Sequence, residues 1–254
     1  MFGLKNHKGS CWVNTGLQTV FRIPQIQKRY ETESANPENP IDVTLQTIWK
    51  SKGQDGLFDF FKCIQSTAMP AGHSVGDSHE LIQCIADKLP ILDTLCRFKI
   101  GETIKCNHCP FSDTKEDSVL ELSIQPSRPK VPITECIANS VTPYDIPDWK
   151  CEKCSQLGCK KQLLIGSFPE VFLIHSTTSN NSVEYSSVLL MNKRKYVLMS
   201  VVCYNGSHWW TYARDMPPGS PWYTLDDLRV HKHSPSQFPL AETMKLLVYY
   251  RLDE

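Results

Sequence analysis

The chain has 254 residues, Lys+Arg and Asp+Glu balance at 27 each, and 41% of the residues are hydrophobic. That length is within the single-domain range and the apolar content supports a sizeable core. Zero net charge argues against a nucleic-acid or membrane-surface protein, no apolar run approaches a membrane span, and Met1–Lys5 lacks the apolar stretch of a signal peptide.

In chain order, Cys11 to Phe21 carries Val13, Leu17, Val20 and Phe21 at helical spacing, with Pro24 expected to end the helix. Residues 31–40, "ETESANPENP", read as a polar loop. Leu45 to Phe61 and Asp77 to Leu89 carry further helical patterns. After Gly101 the character changes. "ETIKC", "VLELSI", "EVFLIHS", "KYVLMSVVCY", "HWWTYARD", "PWYTLDD" and "KLLVYYRL" are short β-branched and aromatic runs that read as strands. "SNNS" at 179–182, "PPGSP" at 217–221 and "HKHSPSQFP" from His231 read as loops. There is no internal repeat or low-complexity tract. Helices first and strands later predict an α+β fold.

Eleven cysteines, an odd number without signs of secretion, point to metal binding or thiol chemistry in a reducing compartment, cytosol or nucleus. Cys106-Asn-His-Cys109 and Cys151-Glu-Lys-Cys154 are two C-x-x-C knuckles that can present four thiolates to one tetrahedral zinc. The long gap between them suits a ribbon whose knuckles cap two separate hairpins. His108 and Cys159 are expected to be bystanders, because four thiolates complete a closed site.

Cys11 has no such partner. At a helix start, unpaired backbone N–H groups and the macrodipole favour a thiolate and are expected to lower its pKa. Asn6 could donate its amide to an oxyanion if the turn folds back. Taken alone, Cys11 also reads as a buried free cysteine. His208 follows a Gly-Ser turn and opens an aromatic strand, and Asp226 ends the next strand. Two antiparallel strands could bring the carboxylate beside the imidazole and fix its tautomer, leaving the other ring nitrogen for the thiol.

Taken together, these segments resemble the catalytic domain of the ubiquitin-specific proteases. Gly3, Leu4, Asn6, Cys11, Asn14, Leu17 and Gln18 match that family's Cys box, with Ser10, Trp12 and Thr15 as close substitutes. His208, Tyr212, Trp222, Tyr223, Asp226 and Asp227 match its His box, with Trp209 for Tyr and Leu225 for Phe. "GDSHELIQCIADKL" is similar to the family's Q-x-D-A-x-E-F helix through Asp77 and Glu80, and "FPEVFLIHS" to its Ile-His strand. The likeness runs over essentially the whole chain, in the family's order.

The resemblance implies one papain-like domain: a helical thumb over about 1–100, zinc-bearing fingers over 101–165 and a β-rich palm over 166–254. It implies hydrolysis of the isopeptide bond after the C-terminal Gly-Gly of ubiquitin or a ubiquitin-like modifier, by a monomeric catalytic domain. On that footing Cys11 is the nucleophile, His208 the base and then acid, Asp226 its orienter, and Asn6 the oxyanion donor. Asp227 supports the oxyanion region or the histidine. Asp77 and Glu80 hold the modifier's tail, whose glycines suit a channel walled by Trp209, Trp210 and Tyr212, although one of the tryptophans suits core packing as well. Zinc is structural, and no cofactor serves catalysis.

Four departures stand out. Lys8 occupies the family's glycine position after the oxyanion Asn, with Gly9 displaced by one, and Ser207 replaces the glycine before the histidine. The glutamine that comes before Asp77 in the family is absent, with Gly76 next to Asp77, and Ser176-Thr177-Thr178-Ser179 replaces L-K-R-F. The segment between Ser176 and Lys195 is short. A divergent enzyme is expected. The alternatives are an inactive domain that binds the modifier or a scaffold partner, and a zinc-ribbon adaptor without thiol chemistry.

Overall fold

The computed structural model describes residues 1–65, 76–178, 182–216, 218–234, 238–241 and 243–252. Most of the "SNNS" loop, Pro217 of "PPGSP" and the centre of "HKHSPSQFP" lie outside the described residues.

Six helices come first: α1 (Cys11–Val20), α2 (Pro24–Thr32), α3 (Pro40–Lys50), α4 (Leu57–Ile64), α5 (Ser78–Lys88) and α6 (Pro90–Cys96). Pro24 and Pro40 sit at first-turn positions, where the missing N–H costs nothing. Pro24 therefore opens α2, and α1 has already ended at Val20. The single helical pattern expected over Leu45 to Phe61 is two helices. The turn between them places Lys52, Gly53 and Gly56 at φ +54°, +82° and +88°, a left-handed backbone that no helix continues through.

The strands are β1 (Phe98–Cys106), β2 (Ser112–Val119), β3 (Glu121–Ile124) and β4 (Val131–Pro132), then helix α7 (Ile133–Val141). There follow β5 (Tyr144–Lys150), β6 (Leu157–Ile165), β7 (Val171–Ser176), β8 (Val183–Glu184), β9 (Val188–Met191) and β10 (Arg194–Tyr204). The chain closes with β11 (Trp209–Ala213), β12 (Tyr223–Asp226), β13 (Arg229–Lys232) and β14 (Met244–Leu252). One sheet runs β2-β1-β6-β5. A larger one runs β13-β12-β11-β10-β14-β7-β3, with β9 also on β10. Only β3–β7 in it is parallel.

The central strands of the large sheet are buried on both faces, which is why they read as unbroken apolar runs. Along β14, Leu246 and Val248 join Trp12, Leu17, Phe21 and Leu81 in a core under the helices. Leu247 and Tyr249 turn to a second core with Phe98, Phe172, Tyr196 and Leu198. β7 alternates likewise, Val171 and Leu173 against Phe172 and Ile174. Helix α1 packs on β11 and α5, so its N-terminus opens where the helices meet the sheet. Among the described residues, no helix is long and apolar enough to cross a membrane.

Candidate active site

The turn ahead of α1 is built by Asn6. Its Oδ1 accepts the backbone N–H groups of Gly9 and Ser10, each at 3.1 Å, and Ser10 Oγ accepts from His7 N–H at 2.8 Å. The displaced glycine is accommodated because two successive residues turn left-handed, Lys8 at φ +51° and Gly9 at φ +92°. Asn6 Nδ2 donates to Asp227 Oδ2 at 2.8 Å, and Asn14 Nδ2 to Asp227 Oδ1 at 2.8 Å. A primary amide carries two N–H bonds, so Asn6 keeps one beyond its bond to Asp227. Asp227 itself is held at φ +52°, and its carbonyl accepts Leu4 N–H at 2.9 Å. Gly3 is dictated by this approach, since a Cβ there would lie 2.5 Å from the Leu228 carbonyl oxygen.

Cys11 is the first residue of α1 and is buried. Its thiol meets the backbone N–H of Trp209, the residue after His208. Burial pushes the thiol pKa up, and the Asp227 carboxylate adds to the rise against the N–H groups of Trp209, Trp12 and Cys11. The expected lowering by the helix start is therefore corrected: here desolvation outweighs the helix-end N–H groups.

His208 is aimed by an Asx turn. Asn205 Oδ1 accepts from His208 N–H at 2.9 Å and from Ser207 N–H at 3.1 Å, while Gly206 supplies φ +97°. The His208 Nε2 lies 2.6 Å from Asp226 Oδ1, which leaves Nδ1 for exchange with a thiol. Nothing lies within 4 Å of where a Cβ on Gly206 would sit, so this glycine serves conformation and not close approach. Lys5, Asn6, His208, Asp226, Asp227, Leu228 and Arg229 line one open cleft.

Asp77 caps α5 by accepting His79 N–H at 2.7 Å, and Glu80 is exposed on the first turn. This turn is fastened beside the thiol: Ser78 Oγ donates to the Trp12 carbonyl at 2.8 Å. Gly76 goes with Trp12, which stands as a substitute in the Cys box. A Cβ there would sit 2.9 Å from three carbons of the Trp12 indole, so the larger ring at position 12 goes with an absent side chain at 76. Gly76→Ala is expected to cost about 1–3 kcal/mol in chemical denaturation, and less than about 1 kcal/mol in a Trp12→Tyr background. Equal costs in both backgrounds would refute the coupling.

Two expected channel walls are corrected. Trp209 is buried under the helices, stacked on Tyr204 with centroids 4.4 Å apart, and it offers the thiol its backbone and not its indole. Tyr212 turns to the opposite face of β11, packed on the second core and 5.9 Å from the His233 ring. Strand alternation puts it there. Trp210 stacks beside His208, centroids 6.3 Å apart. Asn14, matched in the Cys box without a role, holds Asp227, and Asn205, which aims His208, is not among the matched residues, although "YNGSH" carries its Asx-turn signal.

The knuckles cap two neighbouring hairpins, β1–β2 and β5–β6. The Cys106 and Cys154 sulfurs lie 3.7 Å apart, as do those of Cys109 and Cys151, and all four fall within 4.8 Å of one another. Tetrahedral zinc with Zn–S bonds of about 2.3 Å needs sulfurs about 3.8 Å apart, so the cluster is of a size to hold it. His108 Nε2 is engaged by the Leu157 carbonyl at 2.9 Å, and Cys159 stands outside the group.

A cysteine opening a buried helix, with Trp209 at its thiol next in sequence to a histidine that an aspartate holds on the sheet, is the layout of the papain-like cysteine protease fold, here with a four-cysteine finger sheet. The sequence matches the family described as ubiquitin carboxyl-terminal hydrolase over residues 2–249, and the chain belongs to that family. Ubiquitin carboxyl-terminal hydrolase 23 of Arabidopsis thaliana is 24% identical over 200 residues, covering 68% of this chain and 22% of the relative. Ubiquitin carboxyl-terminal hydrolase 47 of Drosophila melanogaster is 25% identical over 203 residues, covering 68% of this chain and 13% of the relative. The chain thus spans a small part of these relatives' length. Among solved structures, a yeast SAGA DUB module superposes with a TM-score of 0.85 at 18% identity, covering 100% of this chain and 69% of the other. The SAGA Ubp8/Sgf11/Sus1/Sgf73 DUB module bound to ubiquitin aldehyde gives 0.81 at 20% identity, covering 100% and 70%.

Proposed function

We propose that the chain is the catalytic domain of a thiol-dependent isopeptidase that removes ubiquitin or a ubiquitin-like modifier from conjugated proteins. The observation that carries this reading is the joint hold of Asp226 on His208 and Asp227 on Asn6 in one cleft, with Asn6 building the turn into the α1 start where Cys11 lies. Family membership and the ubiquitin-bound relative support it.

In the reaction, Cys11 Sγ attacks the carbonyl carbon of the modifier's terminal glycine and passes its proton to His208 Nδ1. Asp226 keeps the imidazole in the tautomer that can accept it. Burial disfavours the free thiolate, which suits attack coupled to proton transfer. The free N–H of Asn6 and the backbone N–H of Cys11 receive the oxyanion. Collapse breaks the C–N bond, and His208 returns the proton to the departing lysine amine. Water, deprotonated by His208, then hydrolyses the thioester. Asp77 and Glu80 meet the modifier's tail beside Trp12. Zinc on Cys106, Cys109, Cys151 and Cys154 is structural, and the number of free thiols supports a reducing compartment, cytosol or nucleus.

The test is labelling of the zinc-loaded protein with probes carrying a C-terminal thiol-reactive group, built on ubiquitin, a two-domain ubiquitin-like modifier and single-domain ubiquitin-like modifiers. A covalent adduct with at least one probe is expected, absent in Cys11→Ala, which retains binding. No adduct with any probe would leave the domain a binding module.

A further inference from the structure

Outside the catalytic cleft and the four-cysteine cluster, the richest gathering of metal-ligating groups joins the helices to the sheet. His79 extends from the first turn of α5, Glu121 from the start of β3 and His175 from β7. His79 Nε2 and His175 Nδ1 approach the same carboxylate oxygen, Glu121 Oε1, at 2.5 and 3.5 Å. The Gln83 amide, one helical turn along, lies 3.0 Å from His79 Nε2. The three side chains are 15%, 9% and 17% exposed.

Two imidazoles share one carboxylate oxygen, with the Lys245 charge nearby. One proton can serve the His79–Glu121 contact, but at 3.5 Å the His175 nitrogen is beyond an ordinary N–H···O bond, so it faces a carboxylate oxygen with little to share. Gln83 turns a fourth polar group onto the same His79 nitrogen. The two short contacts, His79–Glu121 and Gln83–His79, thus meet on one ring nitrogen, and His175 stands 3.5 Å from the shared oxygen.

We propose that His79, Glu121 and His175 form a second divalent-metal site, an N2O donor set that fits Zn²⁺, with the Gln83 amide or water completing it. Two imidazoles and a carboxylate are an established zinc ligand set. With bonds of about 2.0–2.2 Å, ligand atoms around a tetrahedral ion lie roughly 3.3–3.5 Å apart. The 3.5 Å separation already falls in that range, and the 2.5 Å contact must open by about 1 Å as the ion replaces the proton. The rings, stacked at 3.9 Å and parallel within 8°, must tilt toward each other to aim both lone pairs at one ion. Histidine χ2 is broad enough to permit it. Binding displaces the proton held between His79 and Glu121. Because the ligands come from α5, β3 and β7, the ion ties the turn bearing Asp77 and Glu80 to the sheet.

The test is a count of zinc bound to the full chain by elemental analysis after equilibration with excess Zn²⁺, with cobalt substitution alongside. Wild type is expected to hold two ions per chain, and His175→Ala and Glu121→Gln one each, with the second ion bound more than about 10-fold more weakly. The second cobalt should add no thiolate-to-metal absorption, and zinc beyond the first equivalent should raise the thermal midpoint of wild type alone. Glu121→Gln is nearly isosteric and guards against a variant that fails to fold. A single ion in wild type overturns the proposal, as does a second ion that survives both substitutions.

Discussion

Asn6→Ala is expected to lower kcat by about 10²–10³-fold, with KM for a modifier-derived substrate little changed, because an oxyanion donor acts only as charge develops in the transition state. Asp227→Ala should reproduce part of that loss without touching the substrate. Its carboxylate holds the Asn6 and Asn14 amides from its two oxygens, each at 2.8 Å, and nothing else fixes Asn6 Nδ2 among the described contacts. Gly9 and Ser10 still hold Asn6 Oδ1, so the loss should stop short of that in Asn6→Ala. The double variant should be no worse than Asn6→Ala alone, since one residue acts through the other. A second readout moves the opposite way. Asp227 opposes the Cys11 thiolate, so removing its charge should lower the thiol pKa and speed alkylation by a small reagent near neutral pH, while kcat falls. Additive losses in the double variant, or slower alkylation, would refute this division of labour.

The two cores explain which parts of the fold were legible. Strands such as β7, β10 and β14 are buried on both sides, so their sequences are apolar without interruption and bounded by turn residues. The strand β2, "SDTKEDSV", is exposed almost throughout and reads as polar chain. It is a strand only because β1 pairs with it over its whole length, from Phe98–Val119 to Lys105–Ser112. β5 is missed for the same reason. The α3–α4 break was carried by Gly53 and Gly56, whose positive φ no hydrophobic period reveals.

At the site, the matched residues carry chemistry whose types are rare together, so their chain order was informative before any contact was known. Side-chain direction was less so. Trp209 and Tyr212 lie in one aromatic run, and strand alternation turns one to each core. The thiol's electrostatics were hidden too, because a helix start argues for a thiolate until the burial of Cys11 is known. Lys8 shows how a departure from the family pattern can be absorbed. The left-handed residue is a lysine, and Gly9 beside it takes the next left-handed turn, so Asn6 still meets Asp227.

Cys151→Ser, or removal of metal by a chelator, is expected to melt the four-stranded finger sheet before the rest of the domain. That sheet has little apolar filling: β2 and β5 are exposed over most of their length, and Tyr144, Trp149, Leu157 and Leu164 face solvent. Its free end is closed by four sulfurs and not by a core. Metal binding in small zinc sites is worth on the order of 10–16 kcal/mol, far more than a two-hairpin ladder supplies in water. The body is different, since its cores close around the large sheet without help from the cluster. Hydrogen exchange should therefore accelerate over about 102–115 and 144–162 while β10 and β14 stay protected. Turnover should divide in the same way. A short peptide ester ending in the modifier's tail needs only the cleft and α5, and should keep most of its kcat/KM. A whole folded modifier that leans on the fingers should lose affinity, seen as a rise in KM with kcat little changed. Uniform exchange of the whole chain on metal loss would instead make the finger sheet part of one cooperative unit, with zinc holding up the body as well.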